Sequence, residues 1–334
     1  MLDIRNLRVE FPVGKPGFFG RNQRWMKAVD SVSLTMARGK TLGLVGESGC
    51  GKSTLGRAVL QLIPPSGGEV RFDDVDLCQL DAARLKPWRR RMQMVFQDPY
   101  SSLNPRITVG DAVAEPMLVH QLGDETERIE EVHRLFELVG LSPNLVERFP
   151  HEFSGGQRQR IGIARALAAR PDFIVCDEAV SALDVSNQAQ IVNLLEDLRE
   201  QLALTYLFIA HDLAVVRRIS DHVAVMYLGN IVEWTAKRAL FERPLHPYTL
   251  GLLSAVPSPN PAFEKTRRLE LLGGDLPNPL DRPSGCQFHP RCPRAMPICQ
   301  TEAPEFREVE DGHWVSCHLY PGPEAGSHAG EEPR

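Results

Sequence analysis

The chain has 334 residues, of which 43% are hydrophobic, 24% charged and 7% aromatic, as in an ordinary globular protein. This composition excludes a disordered or fibrous protein, and the net charge of -5 disfavours a protein that mainly grips nucleic-acid phosphates. No apolar stretch reaches the roughly 18 to 20 residues needed to span a bilayer, and the N-terminus lacks a secretion signal, so we expect a cytosolic chain.

Residues 2–256 alternate short β-branched segments with longer amphipathic ones. This alternation predicts an α/β domain built around a largely parallel sheet. The clearest strands are 41–45, 173–176 and 206–210, which are short, apolar and nearly free of charge. Strands of this kind are covered by helices on both faces.

Other segments have a different character. Helical periodicity followed by Gly140 predicts that residues 104–153 form a mostly helical insertion. Residues 223–233 predict a hairpin that turns at a Gly-Asn pair. Five residues with three prolines then end the main domain, so 257–320 is expected to form a separate cysteine-rich extension and 321–334 a disordered tail.

The segment after the first of these strands has the spacing of a phosphate-binding loop. It reads G-x-x-x-x-G-K-S and lies between a strand and a helical run over residues 54–62. Its glycines turn backbone N–H groups toward phosphate oxygens, Lys52 reaches the β- and γ-phosphates, and the Ser53 hydroxyl binds Mg²⁺. The residues expected to hold ATP are Gly46, Glu47, Ser48, Gly49, Cys50, Gly51, Lys52, Ser53 and Thr54. The strand and helix context argues against a chance Gly-rich turn.

Two adjacent carboxylates, Asp177 and Glu178, end the strand at 173–176. Ligands of open α/β sheets bind at the carboxyl ends of strands. Asp177 is therefore expected to hold Mg²⁺, and Glu178 to orient and deprotonate an attacking water. An acidic pair by itself is an ordinary solvated loop; the phosphate-binding loop upstream favours the catalytic interpretation.

A helix start follows Phe153. Ser154 has the character of an N-cap, and Gly155 and Gly156 leave the helix N-terminus uncovered so that an anion can approach. The same spacing also fits a plain capped helix.

Together these segments resemble the ATP-binding cassette (ABC) family over residues 2–256. Residues 153–157 are similar to the family signature L-S-G-G-Q, with Phe in the first place. The resemblance implies a P-loop NTPase core with a small antiparallel β subdomain and an inserted helical subdomain. It also implies head-to-tail pairing of two cassettes, in which Ser154, Gly155, Gly156 and Gln157 contact the ATP held by the partner.

The same resemblance implies roles for single residues. Gln97 matches the Q-loop glutamine that senses Mg²⁺ or the attacking water, and His211 matches the switch histidine at the γ-phosphate. The D-loop corresponds to Ser181, Ala182, Leu183 and Asp184. Phe11 is expected to stack on adenine, with Trp25 as its rival. Ala179 stands where the family usually has proline, which leaves the acids in place but reduces the expected rigidity of the loop.

A narrower resemblance links residues 45–55, 95–106 and 245–249 and the cysteine-rich extension to the ATPase subunits of dipeptide and oligopeptide importers, a pattern that nickel importers share. It implies two membrane permeases, a second ATPase that is a paralogue or another copy, and an extracytoplasmic binding protein. The chain would then sit on the cytoplasmic face of the inner or plasma membrane. The alternative is a soluble ABC ATPase acting on nucleic acid or ribosomes, but such proteins usually carry two cassettes or long coiled-coil inserts, and this sequence shows neither.

Four cysteines, Cys286, Cys292, Cys299 and Cys317, cluster in the extension, which has few large apolar residues. Clustered thiols in so small a core predict a metal staple, either tetrahedral zinc or an iron–sulfur cluster. The resemblance favours a four-iron four-sulfur cluster. The spare ligands are His289, His313 and His318. The alternative is four reduced cysteines without a metal.

Overall fold

Two β-sheets share one hydrophobic interior in the computed structural model, which describes residues 1–14, 23–98, 100, 102–255, 273–274 and 277–320. The strands are β1 (Leu2–Val13), β2 (Arg24–Met36), β3 (Thr41–Val45), β4 (Gly67–Phe72), β5 (Val75–Asp76), β6 (Met92–Val95), β7 (Phe173–Asp177), β8 (Thr205–Ile209), β9 (His222–Tyr227), β10 (Asn230–Ala236), β11 (Arg307–Glu310) and β12 (His313–Val315). The helices are α1 (Lys52–Val59), α2 (Ala82–Arg91), α3 (Val109–Val119), α4 (Glu125–Leu138), α5 (Gly155–Ala168), α6 (Val185–Leu202), α7 (Leu213–Ile219), α8 (Lys237–Glu242), α9 (Pro247–Ser254) and α10 (Ile298–Thr301). Among the residues described, no helix combines the length and apolar character needed to cross a membrane.

The smaller sheet is antiparallel, with strand order β2-β1-β4-β5. The larger sheet has the order β11-β12-β10-β9-β3-β8-β7-β6, and its strands from β9 to β6 are parallel. Every residue of β3, β7 and β8 is buried, as expected for parallel strands covered on both faces. The apolar runs of the sequence therefore form the centre of this sheet, as predicted, within one residue at each end.

The parallel strands bring distant segments to one edge. Because β3, β8, β7 and β6 are neighbours that point the same way, their carboxyl ends lie side by side. The phosphate-binding loop follows β3, Gln97 follows β6, Glu178 follows β7 and His211 follows β8. The sheet thus aligns four segments that are up to 165 positions apart in the printed numbering, between residues 46 and 211.

Helices α3 and α4 lie within the span 104–153. Helix α4 begins with a capping box between Asp124 and Glu127 and buries Val132 and Phe136 on one face. Gly140 follows it with a φ of 75°, a left-handed conformation that suits glycine at a helix end.

The hairpin between β9 and β10 turns one residue earlier than predicted. Its turn is Leu228-Gly229, and Asn230 is the first residue of β10, paired with Tyr227. Both turn residues have positive φ, 43° and 85°, as a two-residue hairpin turn of the primed type requires. The predicted Gly-Asn turn is therefore wrong. The Gly229 N–H donates to the Cys50 carbonyl, and the Gly229 carbonyl accepts from the Asp30 N–H. These two hydrogen bonds hold the turn against the rest of the domain.

The cysteine-rich extension joins the larger sheet. Strand β12 pairs with β10, and β11 pairs with β12, so the extension covers an edge that would otherwise be unpaired. Phe288 is 1% exposed within the main core. The extension therefore packs as part of the domain rather than apart from it. The expected domain boundary at 257–261 and the tail 321–334 lie outside the described residues.

Candidate functional site

A cavity of about 250 Å³ lies where β3, β6 and β7 end. It is bounded by the phosphate-binding loop, two residues that follow strands, part of β2, the β9–β10 turn and two residues of the extension. The lining residues are Met26, Lys27, Ala28, Ser48, Gly49, Cys50, Gly51, Lys52, Ser53, Thr54, Gln97, Glu178, Leu228, Gly229, Pro279 and Arg282. Seven of the nine residues expected to hold ATP thus line one cavity, and Gly46 and Glu47 lie beside it.

Two glycines of the loop are required by close backbone contacts. A Cβ on Gly46 would lie 2.2 Å from the Met226 carbonyl oxygen, and one on Gly51 would lie 2.1 Å from the Ala28 carbonyl oxygen. Both have positive φ. Gly51 is the N-cap of α1 and offers no side-chain cap, so the first N–H groups of this helix are available to an anion in the cavity.

The Lys52 ammonium lies inside the curve of the loop. It is 4% exposed and donates hydrogen bonds to the Gly46 carbonyl at 2.8 Å and the Glu47 carbonyl at 2.9 Å. The Cys50 Sγ lies 3.8 Å from the same ammonium, and a buried cation held by neutral groups such as these favours an anion next to it. The loop therefore presents one fixed positive charge and several N–H donors to the cavity.

Ser53 and Asp177 meet beside the loop. The Ser53 hydroxyl donates to Asp177 Oδ1 at 2.6 Å, and the Arg57 guanidinium lies 3.7 Å from Asp177 Oδ2. Burial raises the pKa of the Asp177 carboxyl, and the Ser53 hydrogen bond and the Arg57 charge oppose this in part. A hydroxyl and a carboxylate side by side are oxygen ligands of the type that Mg²⁺ prefers.

Glu178 is the meeting point of two other predicted residues. Gln97 Nε2 donates to Glu178 Oε2 at 2.7 Å, and His211 Nδ1 lies 3.7 Å from the same oxygen. Glu178 has a φ of 47°, which costs free energy in a residue with a side chain. Its N–H donates to the Ile209 carbonyl, and its carbonyl accepts from the Ser181 N–H and hydroxyl. These bonds hold the carboxylate toward the cavity.

The start of α5 lies away from this cavity. None of residues 154–157 is among the residues that line it. Ser154 and Gln157 form a reciprocal capping box, with the Gln157 N–H donating to Ser154 Oγ at 3.3 Å and the Ser154 N–H donating to Gln157 Oε1 at 3.0 Å. Gly156 is buried, and a Cβ there would lie 3.0 Å from Asn187 Oδ1. Gly156 therefore packs against α6, and access of an anion to this helix start stays a prediction. Ser154 is the exposed group at this end.

The loop from Ala179 to Asp184 is held by hydrogen bonds rather than by a proline. Ala179 is fully buried, and Gln188 Nε2 donates to the Val180 carbonyl at 3.0 Å. Asp184 is the N-cap of α6 and accepts from the Asn187 N–H at 2.9 Å and Nδ2 at 2.7 Å. Those hydrogen bonds lower the pKa of the Asp184 carboxyl. Leu183 lies over Gly155, where a Cβ would be 3.7 Å from Leu183 Cδ2.

The two aromatic candidates for adenine stacking lie on neighbouring strands. Phe11 pairs with Met26 across β1 and β2, packs partly buried against the core between the sheets, and does not line the cavity. The stacking role of Phe11 stays a prediction, since its cross-strand partner Met26 lines the cavity. Trp25 is 55% exposed and precedes Met26, which does line the cavity.

Sequence reasoning missed several residues that contact the site. Arg57 faces Asp177, and the Tyr248 hydroxyl accepts from the Glu47 N–H at 2.9 Å. Arg291 of the extension forms a bidentate ion pair with the Glu47 carboxylate, at 2.7 and 2.9 Å. Segment 245–249 contains Tyr248, but no local pattern shows that Tyr248 or Arg291 contacts Glu47, because each lies more than 200 positions from it.

The four extension cysteines are free thiols that interact electrostatically with one another. Burial raises the pKa of Cys286 and Cys292, and that of Cys317 to about 11, so the protonated thiol is favoured. Within the described residues, no group of three or more His, Cys, Asp or Glu is arranged to hold a metal ion. The spare histidines have other contacts: His289 with the Cys286 carbonyl, His313 with Glu233, and His318 with the Glu302 carbonyl. The predicted metal staple is not supported by this arrangement.

Comparison with protein families gives two matches. The family described as "ABC transporter" matches residues 29–181, and that described as "Oligopeptide/dipeptide transporter, C-terminal region" matches residues 232–299.

Individual relatives cover nearly the whole chain. The oligopeptide transport ATP-binding protein AppF of Bacillus subtilis is 51% identical over 321 residues, which is 96% of this chain and 97% of AppF. A protein of Brucella ovis named as a peptide import ATP-binding protein is 53% identical over 292 residues, 87% of this chain and 92% of its own length.

Similar solved structures include the dimeric post-hydrolysis state of the ATP-binding cassette MJ0796 bound to ADP and phosphate. Its TM-score is 0.64 at 28% identity, covering 71% of this chain and 99% of that one. CbiO1 from Clostridium perfringens, part of the ABC transporter complex CbiONQ, has a TM-score of 0.62 at 25% identity, covering 73% of this chain and 91% of that one.

Proposed function

Because this chain belongs to the ABC transporter ATPase family and carries the C-terminal region of its oligopeptide and dipeptide transporters, we propose that it hydrolyses ATP at the Lys52–Glu178 cavity to energise a peptide importer. The observation that carries this assignment is the convergence of Gln97 and His211 on Glu178 Oε2 beside the phosphate-binding loop. Nickel import is not favoured, since the relatives are named for oligopeptide and peptide transport.

ATP binds with its phosphates against the loop and the N-terminus of α1. The uncapped N–H groups of this helix and the Lys52 ammonium neutralise the β- and γ-phosphates. The hydroxyl and carboxylate pair of Ser53 and Asp177 suits Mg²⁺, which they would hold together with Gln97. When bound, the ion supplies positive charge to the phosphate oxygens during phosphoryl transfer.

Glu178 acts as the general base. Its carboxylate orients a water molecule for attack on the γ-phosphorus and accepts the proton that the water loses. Gln97 holds the Glu178 carboxylate through Oε2, and it would contact the ion and the attacking water when nucleotide is bound. His211, whose side chain is 58% exposed, is free to contact the γ-phosphate from the neighbouring strand.

The chain acts as one of a pair of cassettes together with membrane permeases. We infer that Ser154, Gly155 and Gly156 contact the ATP held by the other cassette, with Gln157 fixing Ser154 through the capping box. The loop Ser181 to Asp184 lies next to this helix start, because Leu183 packs over Gly155. Closure of the pair is transmitted through Gln97 and the helices α3 and α4 to the permeases at the cytoplasmic face of the membrane. An extracytoplasmic binding protein delivers the peptide.

A metal in the extension remains a proposal of its own. The four cysteines lie within mutual electrostatic reach, and a four-iron four-sulfur cluster or zinc would require them to deprotonate and draw closer. Protein purified without oxygen should then contain iron or zinc near one cluster or ion per chain. Absence of both metals would leave four reduced thiols.

The assignment is tested by gentle isolation of the tagged chain from native membranes, with mass spectrometry of the proteins that accompany it. We expect two permeases and a cassette subunit, either a paralogue or this chain itself. Recovery in the soluble fraction with ribosomal or DNA-repair proteins would overturn the transport function while leaving the ATPase activity intact.

A further inference from the structure

A short turn of the extension lies directly against the phosphate-binding loop. The turn spans residues 286–292 and is wound by hydrogen bonds from the His289 N–H to the Cys286 carbonyl and from the Arg291 N–H to the Phe288 carbonyl. Its first residue is also anchored, since the Cys286 N–H donates to the Cys299 carbonyl at 2.9 Å. Backbone hydrogen bonds by themselves therefore fix the shape of this turn.

Arg291 projects from this turn onto Glu47. Both terminal guanidinium nitrogens contact the Glu47 carboxylate, at 2.7 and 2.9 Å, and Nε donates to the Gly273 carbonyl at 2.9 Å. The Arg291 side chain is 5% exposed, whereas that of Glu47 is 28% exposed. A bidentate pair with so little access to water is among the stronger ion pairs in proteins.

A second contact from the same turn reaches the same loop residue. The Phe288 ring lies 5.4 Å from the Tyr248 ring, and the Tyr248 hydroxyl accepts from the Glu47 N–H at 2.9 Å. The Glu47 carbonyl in turn accepts from the Lys52 ammonium. Glu47 is thus held at its N–H and carboxylate by residues outside the loop, and at its carbonyl by the lysine that meets the phosphates.

The charge of Glu47 explains why this anchoring matters. A carboxylate within the phosphate-binding loop repels the phosphates of ATP unless a cation neutralises it and keeps it turned away. Arg291 does both, because its planar fork pairs with both oxygens of the carboxylate, and Glu47 is not among the residues that line the cavity.

We propose that Arg291 is a positioning residue for the ATP site: from the extension it neutralises Glu47 and holds the phosphate-binding loop in the shape that receives the nucleotide. This rests on the proposed ATPase function. The extension is then part of the nucleotide site of its own chain. If Arg291 only clamped the extension to the domain, its role would not depend on the charge of Glu47.

The test measures the Kd of a fluorescent ATP analogue for the purified full-length chain. Arg291→Gln should raise this Kd about 10-fold, since one buried charge-assisted pair is lost and a carboxylate is freed beside the phosphates. Adding Glu47→Gln to that variant should return the Kd to within about 3-fold of wild type, because the repelling charge is gone.

Arg243→Gln is the matched control. Arg243 also joins the main domain to the extension, through Glu310, but this pair does not touch the loop, so its Kd should equal that of wild type. Thermal melts verify that each variant is folded. If Arg291→Gln does not fold, Tyr248→Phe removes the second anchor of Glu47 and should raise the Kd about 3-fold.

The proposal is overturned if Arg291→Gln binds within 2-fold of wild type, if the double variant binds no better than Arg291→Gln, or if Tyr248→Phe, used in its place, leaves the Kd unchanged. An equal rise of the Kd in Arg243→Gln would also overturn it, because the effect would then come from general loosening of the extension. Wild-type protein that binds no analogue would instead overturn the proposed ATPase function, on which this inference depends.

Discussion

At the carboxyl edge of the parallel strands, each chemical group directly follows a buried strand, and the strand order brings these groups together. In the cysteine-rich extension, the residues that reach the site come from turns and contact it across more than 200 positions of sequence. The first region can be interpreted from local motifs because strand direction does the positioning. The second cannot, since only tertiary packing decides which loop a turn such as 286–292 will touch.

Glu178→Gln gives the largest expected effect and tests the first region. Hydrolysis should slow by about 100-fold or more, because the amide cannot accept a proton, while ATP binding is retained. Phosphate release and nucleotide Kd are measured on the same preparation. Glu196→Gln, which removes one charge of a surface pair with Arg218, is the matched control and should retain full turnover.

Near-normal turnover in Glu178→Gln would remove Glu178 from the role of base and leave the Gln97 and His211 contacts without a catalytic explanation. Lys52→Ala supplies the contrast. It should weaken nucleotide binding itself, because its ammonium is the fixed positive charge of the loop.

A buried histidine at the junction with the extension tests how firmly the second region is part of the fold. His246 is 1% exposed, lies against Phe288, and accepts from the Tyr248 N–H through Nδ1 at 3.0 Å. Burial lowers the pKa of His246 to about 4 from its usual 6.5, and the groups that face it, the Glu233 carboxylate and the Ser316 backbone, oppose this only in part.

The direction of the change in stability with pH follows from the lowered pKa of His246. As the pH falls, His246 is protonated first in the unfolded chain, where its pKa is higher. The contribution of neutral His246 to the free energy of unfolding is therefore complete above pH 6.5 and disappears toward pH 4. It amounts to up to about 3 kcal/mol. His246→Asn keeps an N-cap acceptor for α9 but cannot titrate. Its free energy of unfolding should fall less than that of wild type over this range. If the free energies of unfolding of wild type and His246→Asn, measured by denaturant titration, changed equally with pH, His246 would not be held neutral in the folded protein.

Much of the fold follows from sequence pattern. The strands β3, β7 and β8 are short apolar runs, and the glycine at 140 ends α4. The predicted hairpin turn is wrong by one residue because Leu228 adopts a positive φ, which is rare for leucine, and because the hydrogen bonds of Gly229 with Cys50 and Asp30 come from distant segments. Strand pairing of the extension with β10 has no local signal, since edge coverage depends on what else packs nearby.

The candidate site divides in the same way. Gln97 and His211 lie next to Glu178, and Asp177 lies next to Ser53, as expected for segments that follow neighbouring parallel strands. The packing of Gly156 against Asn187 could not be predicted, because Asn187 belongs to the next helix. Arg291 could not be foreseen, because its partner is chosen by the packing of the extension.

Gly156→Ala sharpens this distinction between an open helix start and a packed one. The added Cβ would lie 3.0 Å from Asn187 Oδ1, and Asn187 cannot easily move because Nδ2 donates to Asp184 at 2.7 Å. The variant should be destabilised by about 1 to 2 kcal/mol. Gly162→Ala in the same helix is the control. Its Cβ would meet nothing within 4 Å, so it should gain up to about 1 kcal/mol from helix propensity. Equal stability of the two variants in thermal melts would contradict the packing role of Gly156.

The smallest expected effect concerns adenine recognition on β1 and β2. Trp25→Ala should raise the ATP Kd about 5-fold, because its ring is exposed on the strand that contributes Met26 to the cavity lining, and stacking on a base contributes on the order of 1 kcal/mol. Phe11→Ala should instead lower the melting temperature with little change in Kd, since Phe11 packs against the core between the sheets. The reverse outcome, a weakened Kd in Phe11→Ala and an unchanged one in Trp25→Ala, would assign the stacking role to Phe11, whose cross-strand partner Met26 lines the cavity.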